Sequence, residues 1–558
     1  MFYSRLRDFE AINNPSYWLT QNKMQSNWNS VDKTWSGSPR SSIYDYNTSA
    51  GRIIFNTMMN WPKKVLQISD SDGVTVTCEQ ALTWAIRIAQ FFKKKGLDHT
   101  SVIGIAAANT TYLMPLGVAC LFNATPFHAI SPLFEEETIK FMFEITKPKL
   151  IFCDKEQYNK IVEATKGWSP EVYTISEPLE GKPSIQSLLE PTTTEKFYRP
   201  EPLKTGGDQT VVILCSSGTT GMPKAVCISN CVFMQDNLLV NSETIYFLQS
   251  GLDWISGLWA FMFCVVFGST RIISNKPFSP ENIVHLVQKY KINYITLAPV
   301  QLAVLATSPA AKPYALSSLR NVNYGGSILS DATLKRIKEL CKSAIITSAY
   351  AMTEAGVITL NVGVQNASAT GKPMAGMKIR IVDDDGKNLA HNEVGEILVH
   401  TGMHWNGYYG NPVATSQILD FNGWIHTGDL GYFNDDNLLN VIDRKKAMLK
   451  FKGTHYWPTE IENVIKELPQ VRDACVVGIP DDVLGDVAAA LVVMVPGSNI
   501  TEQDISDHVA KRFVATHKHL HAGVRFFDKL PVNNNGKIIR IAARELYKSL
   551  SGTATKGN

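Results

Sequence analysis

The residues best suited to chemistry lie in one short run, CSSGTTGMPK at positions 215–224, entered from the apolar stretch VVILCS at 211–216. Ser216, Ser217, Gly218, Thr219, Thr220 and Gly221 offer backbone N–H groups and hydroxyls that can face phosphate oxygens, and Lys224 adds a positive charge. The same composition also makes an ordinary turn, so the run taken alone supports either reading. Its spacing does not match the G-x-x-x-x-G-K-[ST] loop of P-loop kinases and GTPases, which disfavours that chemistry.

Five further segments stand in order along the chain: YGGSIL at 324–329, SAYAMTE at 348–354, GWIHTGDLG at 423–431, DRKKAMLKFKG at 443–453 and NNNGKIIR at 533–540. With SSGTTGMPK they resemble the adenylate-forming superfamily, which holds acyl-CoA synthetases, 4-coumarate-CoA ligases, beetle luciferases and the adenylation domains of peptide synthetases. The likeness covers residues 50–548. It implies that Tyr324, Gly325, Gly326, Ala349 and Tyr350 form an adenine pocket, where a flat base needs an aromatic wall and close backbone approach. Taken singly, these segments read equally as a Gly-Gly turn and a core tyrosine.

The resemblance further implies that Thr353 binds the α-phosphate and that Glu354 holds Mg²⁺, a hard cation suited to oxygen ligands. Asp429 would accept the ribose hydroxyls, Arg444 would give a second ribose or phosphate contact, and Lys537 would bridge the substrate carboxylate and the α-phosphate. Lys450, Lys452 and Gly453 would reach the site after a domain rotation, for coenzyme A. Without the resemblance, Asp429 is an Asx-turn or cap residue and Lys537 a solvated surface lysine.

Three positions depart from the superfamily pattern: Ala225 and Ala351 where glycine is usual, and Asn230 where many relatives carry histidine. Each alanine is expected to add a methyl close to nucleotide. Aligned through Gly268, Trp254 falls where luciferases carry a catalytic histidine and many fatty acyl-CoA synthetases an aromatic gate. The competing reading is a core tryptophan; either one favours ligation over light emission. His517, His519 and His521, with no acidic neighbour, read as surface residues, and Cys227 and Cys231 as packing residues.

The elements that would position these residues alternate. Residues 79–97 read as an amphipathic helix, 101–109 as a buried strand, 135–147 as a helix and 149–154 as a strand, with further strands at 211–216, 270–274 and 293–299. This predicts a layered α/β body with parallel sheet. The apolar run 255–268 is too short to span a bilayer and reads as a buried helix. Residues 177–208 and the basic run 443–453 read as surface connections, after which strands and a helix capped by Thr501 and Asp504 follow. The expected division is a large domain, residues 1–445, with parallel-rich sheets and a distorted barrel, and a small mobile α+β domain, residues 446–558.

A net charge of +3 on 558 residues leaves no basic field for nucleic acid, and nine cysteines without a C-x-x-C pair suggest reduced intracellular thiols. No secretory or transit pattern opens the chain, and no S-K-L-type signal closes it, so a cytoplasmic location is expected, with a peroxisomal one as the alternative. The activity implied is activation of a fatty or aromatic carboxylic acid by ATP with Mg²⁺, then transfer to coenzyme A. A luciferase-like or carrier-loading enzyme, or a weakened nucleotide-binding relative, stands as the alternative.

Overall fold

The structure is a computed structural model that describes residues 25–40, 44–216, 222–234, 240–452, 454–532 and 538–551. Three sheets organise it. A six-stranded sheet runs parallel through Glu171–Thr174, Leu150–Cys153, Ile103–Ala106, Phe127–Ala129 and Thr210–Ser216, and Lys224–Ser229 closes its edge antiparallel. The strand expected over 101–109 therefore stops at Ala106, and the chain turns there toward the cavity described below.

A second sheet has fifteen strands among the described residues. Val65–Ser69, Thr270–Ile273, Ile245–Phe247, Tyr294–Thr296, Asn321–Gly325 and Ile345–Met352 are parallel neighbours. The antiparallel strands, for which the resemblance implies a distorted barrel, are joined edge to edge with them through Gly356–Val362 and Ala369–Pro373. They continue through Leu439–Arg444, Ile425–Phe433, Gly395–His400 and Lys378–Val382. Parallel strands require crossovers, and helices supply them.

Local sequence explains the principal helices. Cys78–Lys94 opens on a reciprocal capping box between Thr77 and Gln80, carries Glu79 in its first turn and Lys93 and Lys94 in its last, and buries Leu82, Ile86, Ala89 and Phe92. It ends three residues short of the expected 97, because Gly96 takes a left-handed φ of 67°. Ile255–Phe267 is apolar all round and buried, as a short non-spanning apolar run requires. Gly257 lets it sit on the preceding loop, since a Cβ there would fall 1.8 Å from the Gly251 carbonyl oxygen. Among the described residues no helix is long and apolar enough to cross a membrane.

The third sheet, five-stranded, begins at Leu449–Phe451 and is covered by Pro458–Ile465, Glu502–Arg512 and Arg540–Ser551. Thr501 and Asp504 form the expected capping box. Both stretches read as surface connections carry structure. Residues 443–453 contribute to two strands flanking a 3₁₀ turn at Lys445–Ala447, and residues 177–208 are pinned by the Arg87–Glu195 ion pair at 2.7 Å. The two bodies meet at Asp443, whose Oδ2 accepts from Thr459 Oγ1 at 2.6 Å and lies 3.9 Å from Arg540 Nη2.

Asp154, at the end of Leu150–Cys153, fixes the turn after Ile103–Ala106 by accepting the Ala108 N–H at 2.7 Å. Burial pushes its carboxyl up from 3.8 to about 6. The folded state therefore holds this proton more tightly than the unfolded chain, so stability falls as pH rises between those values, by at most ~1.4 kcal/mol per pH unit. Asp154→Asn keeps the acceptor and removes the titration. Denaturant midpoints measured from pH 4 to 7 should show the variant gaining on the parent through about pH 6, and parallel profiles would reject this burial.

Candidate functional site

One large cavity, about 1400 Å³, opens where the six-stranded and fifteen-stranded sheets meet. Ser216 and Lys224 stand opposite each other in the antiparallel pair Thr210–Ser216 and Lys224–Ser229, so the ends of the phosphate-loop candidate are clamped side by side at the cavity wall. Ser217, Gly218, Thr219, Thr220 and Gly221 lie outside the described residues, as do Gly453 and Lys537.

The opposite wall is built from strand ends. Gly325 pairs with Ala349 across the parallel strands, and a Cβ on Gly325 would come within 2.6 Å of the Ala349 oxygen. Gly326 has a φ of 88°, which strains any other residue. Together they give a thin, backbone-faced edge beside Tyr324. That tyrosine lines the cavity, is 2% exposed with its side chain packed into the core, and has its phenol pushed up to about 12 by burial.

Thr353 and Glu354 line the cavity beyond Ala351, where the strand Ile345–Met352 shifts register between Tyr350 and Ala351. Tyr408 Oη donates to Glu354 Oε1 at 2.8 Å, and Lys224 Nζ sits 4.6 Å from the Tyr408 ring centre. Tyr408 thus links the lysine of one wall to the carboxylate of the other. Burial and the adjacent Glu354 charge push its phenol above the ordinary value. The GYYG segment at 407–410 carried the only sequence signal for it.

Asp429 stands immediately behind the lining residue Gly428 and is 7% exposed. Its Oδ2 accepts from Tyr350 Oη at 2.6 Å and its Oδ1 pairs with Arg444 Nε at 2.7 Å. Tyr350 is held in the phenol form by burial first and by the Asp429 charge second. Thr427 completes the turn by donating to the Ile397 carbonyl at 2.8 Å and accepting the Asp429 N–H at 3.0 Å. Arg444, Lys445, Lys446 and Val532 reach the cavity rim.

Lys450 and Lys452 are not at the cavity. Lys450 is the exposed residue of the strand Leu449–Phe451 and its N–H donates to Asp486, and Lys452 lies over the Phe451 ring.

Several expectations need correction. Ala225 adds no methyl near nucleotide: strand alternation turns it away from Lys224 into a core with Ile213 and Ala106, at 2% exposure. Asn230 is a structural tie, accepting the Ala50 N–H at 2.8 Å and donating to the Thr48 carbonyl at 3.0 Å at the start of the helix Ala50–Asn60. Trp254 is half-buried in the cavity wall at the N-cap of Ile255–Phe267, rather than in the core. His521 is exposed and His517 and His519 half-buried, as the surface reading expects, with His521 stacked on Phe451 at 4.8 Å and His519 bonded to the Phe513 carbonyl. Ala351 does line the cavity, as expected.

The sequence matches the AMP-binding enzyme family over residues 54–409 and the AMP-binding enzyme C-terminal domain over residues 460–537. The chain belongs to the AMP-binding enzyme family. This AMP-binding enzyme is 29% identical over 496 residues to the luciferin 4-monooxygenase of Photuris pensylvanica, covering 85% of this chain and 90% of that one. It is 27% identical over 522 residues to 4-coumarate–CoA ligase 1 of Arabidopsis thaliana, covering 89% and 91%. Its fold matches the ATP-bound MatB structure from Rhodopseudomonas palustris with a TM-score of 0.80 at 22% identity, over 91% of this chain and all (100%) of that one.

Among the described residues no group of three or more His, Cys, Asp or Glu forms a metal nest. That donor set still fits Mg²⁺, which binds through one or two carboxylates together with substrate phosphates, and Glu354 is a carboxylate already oriented by Tyr408.

The Asp429 bridge generates a stability test in this AMP-binding enzyme. Asp429→Ala strands the buried Tyr350 hydroxyl and should cost ~1–3 kcal/mol in denaturant unfolding. In a Tyr350→Phe background the same change should cost less, with a coupling of ~0.5–3 kcal/mol. Strictly additive losses would contradict the bridge.

Proposed function

We propose that this AMP-binding enzyme is an ATP-dependent acid–thiol ligase that joins a carboxylic acid to coenzyme A through an acyl-AMP. The observation that carries the reading is the meeting, around one cavity, of the clamped Ser216–Lys224 hairpin, the Gly325–Gly326 edge, Glu354 fixed by Tyr408, and the Arg444–Lys446 segment that enters the small body. The inner cavity carries Leu248, Trp254, Trp259, Met262 and Phe263, which suits an apolar acyl body.

In the first half-reaction a carboxylate oxygen attacks the α-phosphorus of ATP and pyrophosphate leaves. Lys224 and the loop it closes bind phosphate oxygens, Thr353 donates to the α-phosphate, and Asp429 and Arg444 receive the ribose. Lys537 adds charge where carboxylate and phosphate meet. Mg²⁺, held at Glu354, would neutralise phosphate charge. In the second half-reaction the small body, residues 446–558, turns about Lys445 and Lys446 and presents Lys450, Lys452 and Gly453. The coenzyme A sulfur, losing its proton, attacks the acyl carbon, and AMP departs with the bonding electron pair. The exposed placement of Lys450 and Lys452, away from the cavity, suits a second orientation.

Trp254 in the wall, where luciferases carry a catalytic histidine, favours thioester formation over oxygenation. Single-turnover assays that follow pyrophosphate and thioester separately test the scheme. Lys537→Ala should slow pyrophosphate release by ~10²–10³ and spare coenzyme A attack on supplied acyl-AMP. Lys450→Ala should do the reverse. Equal damage to both steps by both variants would sink the two-orientation mechanism.

A further inference from the structure

Asp253 is a cavity-wall carboxylate that the mechanism above does not use. It immediately precedes Trp254, the N-cap of Ile255–Phe267, and borders the aromatic acyl region. Among the described residues no lysine, arginine or histidine pairs with it. Its hydrogen bonds come from its own N–H and the Trp254 side chain.

The cation on this side of the fold is already committed. Arg271 is 1% exposed and donates to Asn109 Oδ1 at 2.6 Å. The Asn109 amide nitrogen donates to the carbonyls of Gln249 and Ser250, at 3.0 and 3.3 Å, which fixes its oxygen on the other side.

Gly251 reveals what surrounds the open space beside Asp253. A Cβ placed there would lie 2.7 Å from Asp253 Oδ1, 3.9 Å from the Ala107 carbonyl oxygen and 3.9 Å from Asn109 Oδ1. All three nearest atoms are acceptors, and Ala107, Asn109, Gly251 and Asp253 all line the cavity. A carboxylate with no cationic partner, standing beside two further acceptors, gains from a further donor brought to it. Burial accordingly pushes the Asp253 carboxyl up to about 7.

We propose that Asp253, with Asn109 and the Ala107 carbonyl, forms a specificity subsite that receives a hydrogen-bond-donating group on the acyl portion of the substrate, a protonated amine matching it best. An ammonium group presents three N–H donors and a compensating charge. A hydroxyl presents one donor and satisfies the site in part. An unsubstituted acid brings neither donor nor charge, leaving the carboxylate only its own N–H and the Trp254 side chain, and sites built to bond a polar group discriminate against analogues that lack it. The inference rests on the acid-activating reading and names the class of acid: an apolar body carrying a donor group away from the reacting carboxylate.

The test compares length-matched acids bearing an amino group, a hydroxyl group or neither, in thioester formation and in calorimetric binding with a non-hydrolysable ATP analogue present. The parent should favour the amino acid of each set over the unsubstituted one by ~10-fold or more, with the hydroxy acid between. Asp253→Asn should erase most of that preference and leave affinity for the ATP analogue unchanged. Gly251→Ala, whose Cβ would crowd Asp253 Oδ1 at 2.7 Å, should do the same while leaving the residue at 253 unchanged. Equal binding of the three acids by the parent, or an unchanged ratio in both variants, would overturn the subsite. Differential binding that follows Asp253 without any thioester would uphold the subsite and refute the ligase reading.

Discussion

The arrangement depends on one carboxylate taking two donors from two strands. Asp429 accepts the Tyr350 hydroxyl from the last parallel strand of the large sheet and the Arg444 guanidinium from the strand that leads into the small body. A nearly buried carboxylate is costly unless paired and hydrogen-bonded, so the three groups hold one another in register. The strand Ile345–Met352 at the cavity wall, the turn around Gly428 and the start of the small body are thereby tied to a common point. Asp443, next to Arg444, extends that tie to Thr459 and Arg540.

Around this point the cavity divides by chemistry. Backbone edges, hydroxyls and charges occupy the side of Ser216, Lys224, Gly325 and Glu354, while tryptophans, Phe263 and Leu248 occupy the other. A reaction that joins a polar nucleotide to an acyl group needs both environments within one enclosure, because an activated acyl group exposed to water hydrolyses. Tyr408 keeps the polar side coherent by contacting Lys224 through its ring and Glu354 through its hydroxyl.

Much of this was legible in the chain. The strand and helix periods gave the layered body, the Thr501–Asp504 box marked a helix start, and the all-apolar 255–268 run gave the buried helix. Motif order placed Ser216, Lys224, Gly325, Gly326 and Glu354 at one site, and the cavity contains them all. What was missed depends on long-range contacts. Asn230 ties down a helix that begins 180 positions earlier, at Ala50, and Tyr408 acquires its role only by meeting Lys224 and Glu354. The Ala225 error was avoidable, since a strand that points Lys224 into the cavity must point the next residue away. The stretches 177–208 and 443–453 looked like linkers because their composition is polar, yet ion pairs and sheet pairing order them.

The central claim is that this cavity makes an acyl-adenylate. Exchange of labelled pyrophosphate into ATP measures that step alone, since it requires reversible adenylation and no acceptor thiol. Across a panel of carboxylic acids with apolar bodies, with and without amino and hydroxyl groups, the account predicts exchange that depends strictly on added acid. Binding of ATP without exchange for every acid in the panel would contradict it, and would describe a nucleotide-binding relative instead of a ligase.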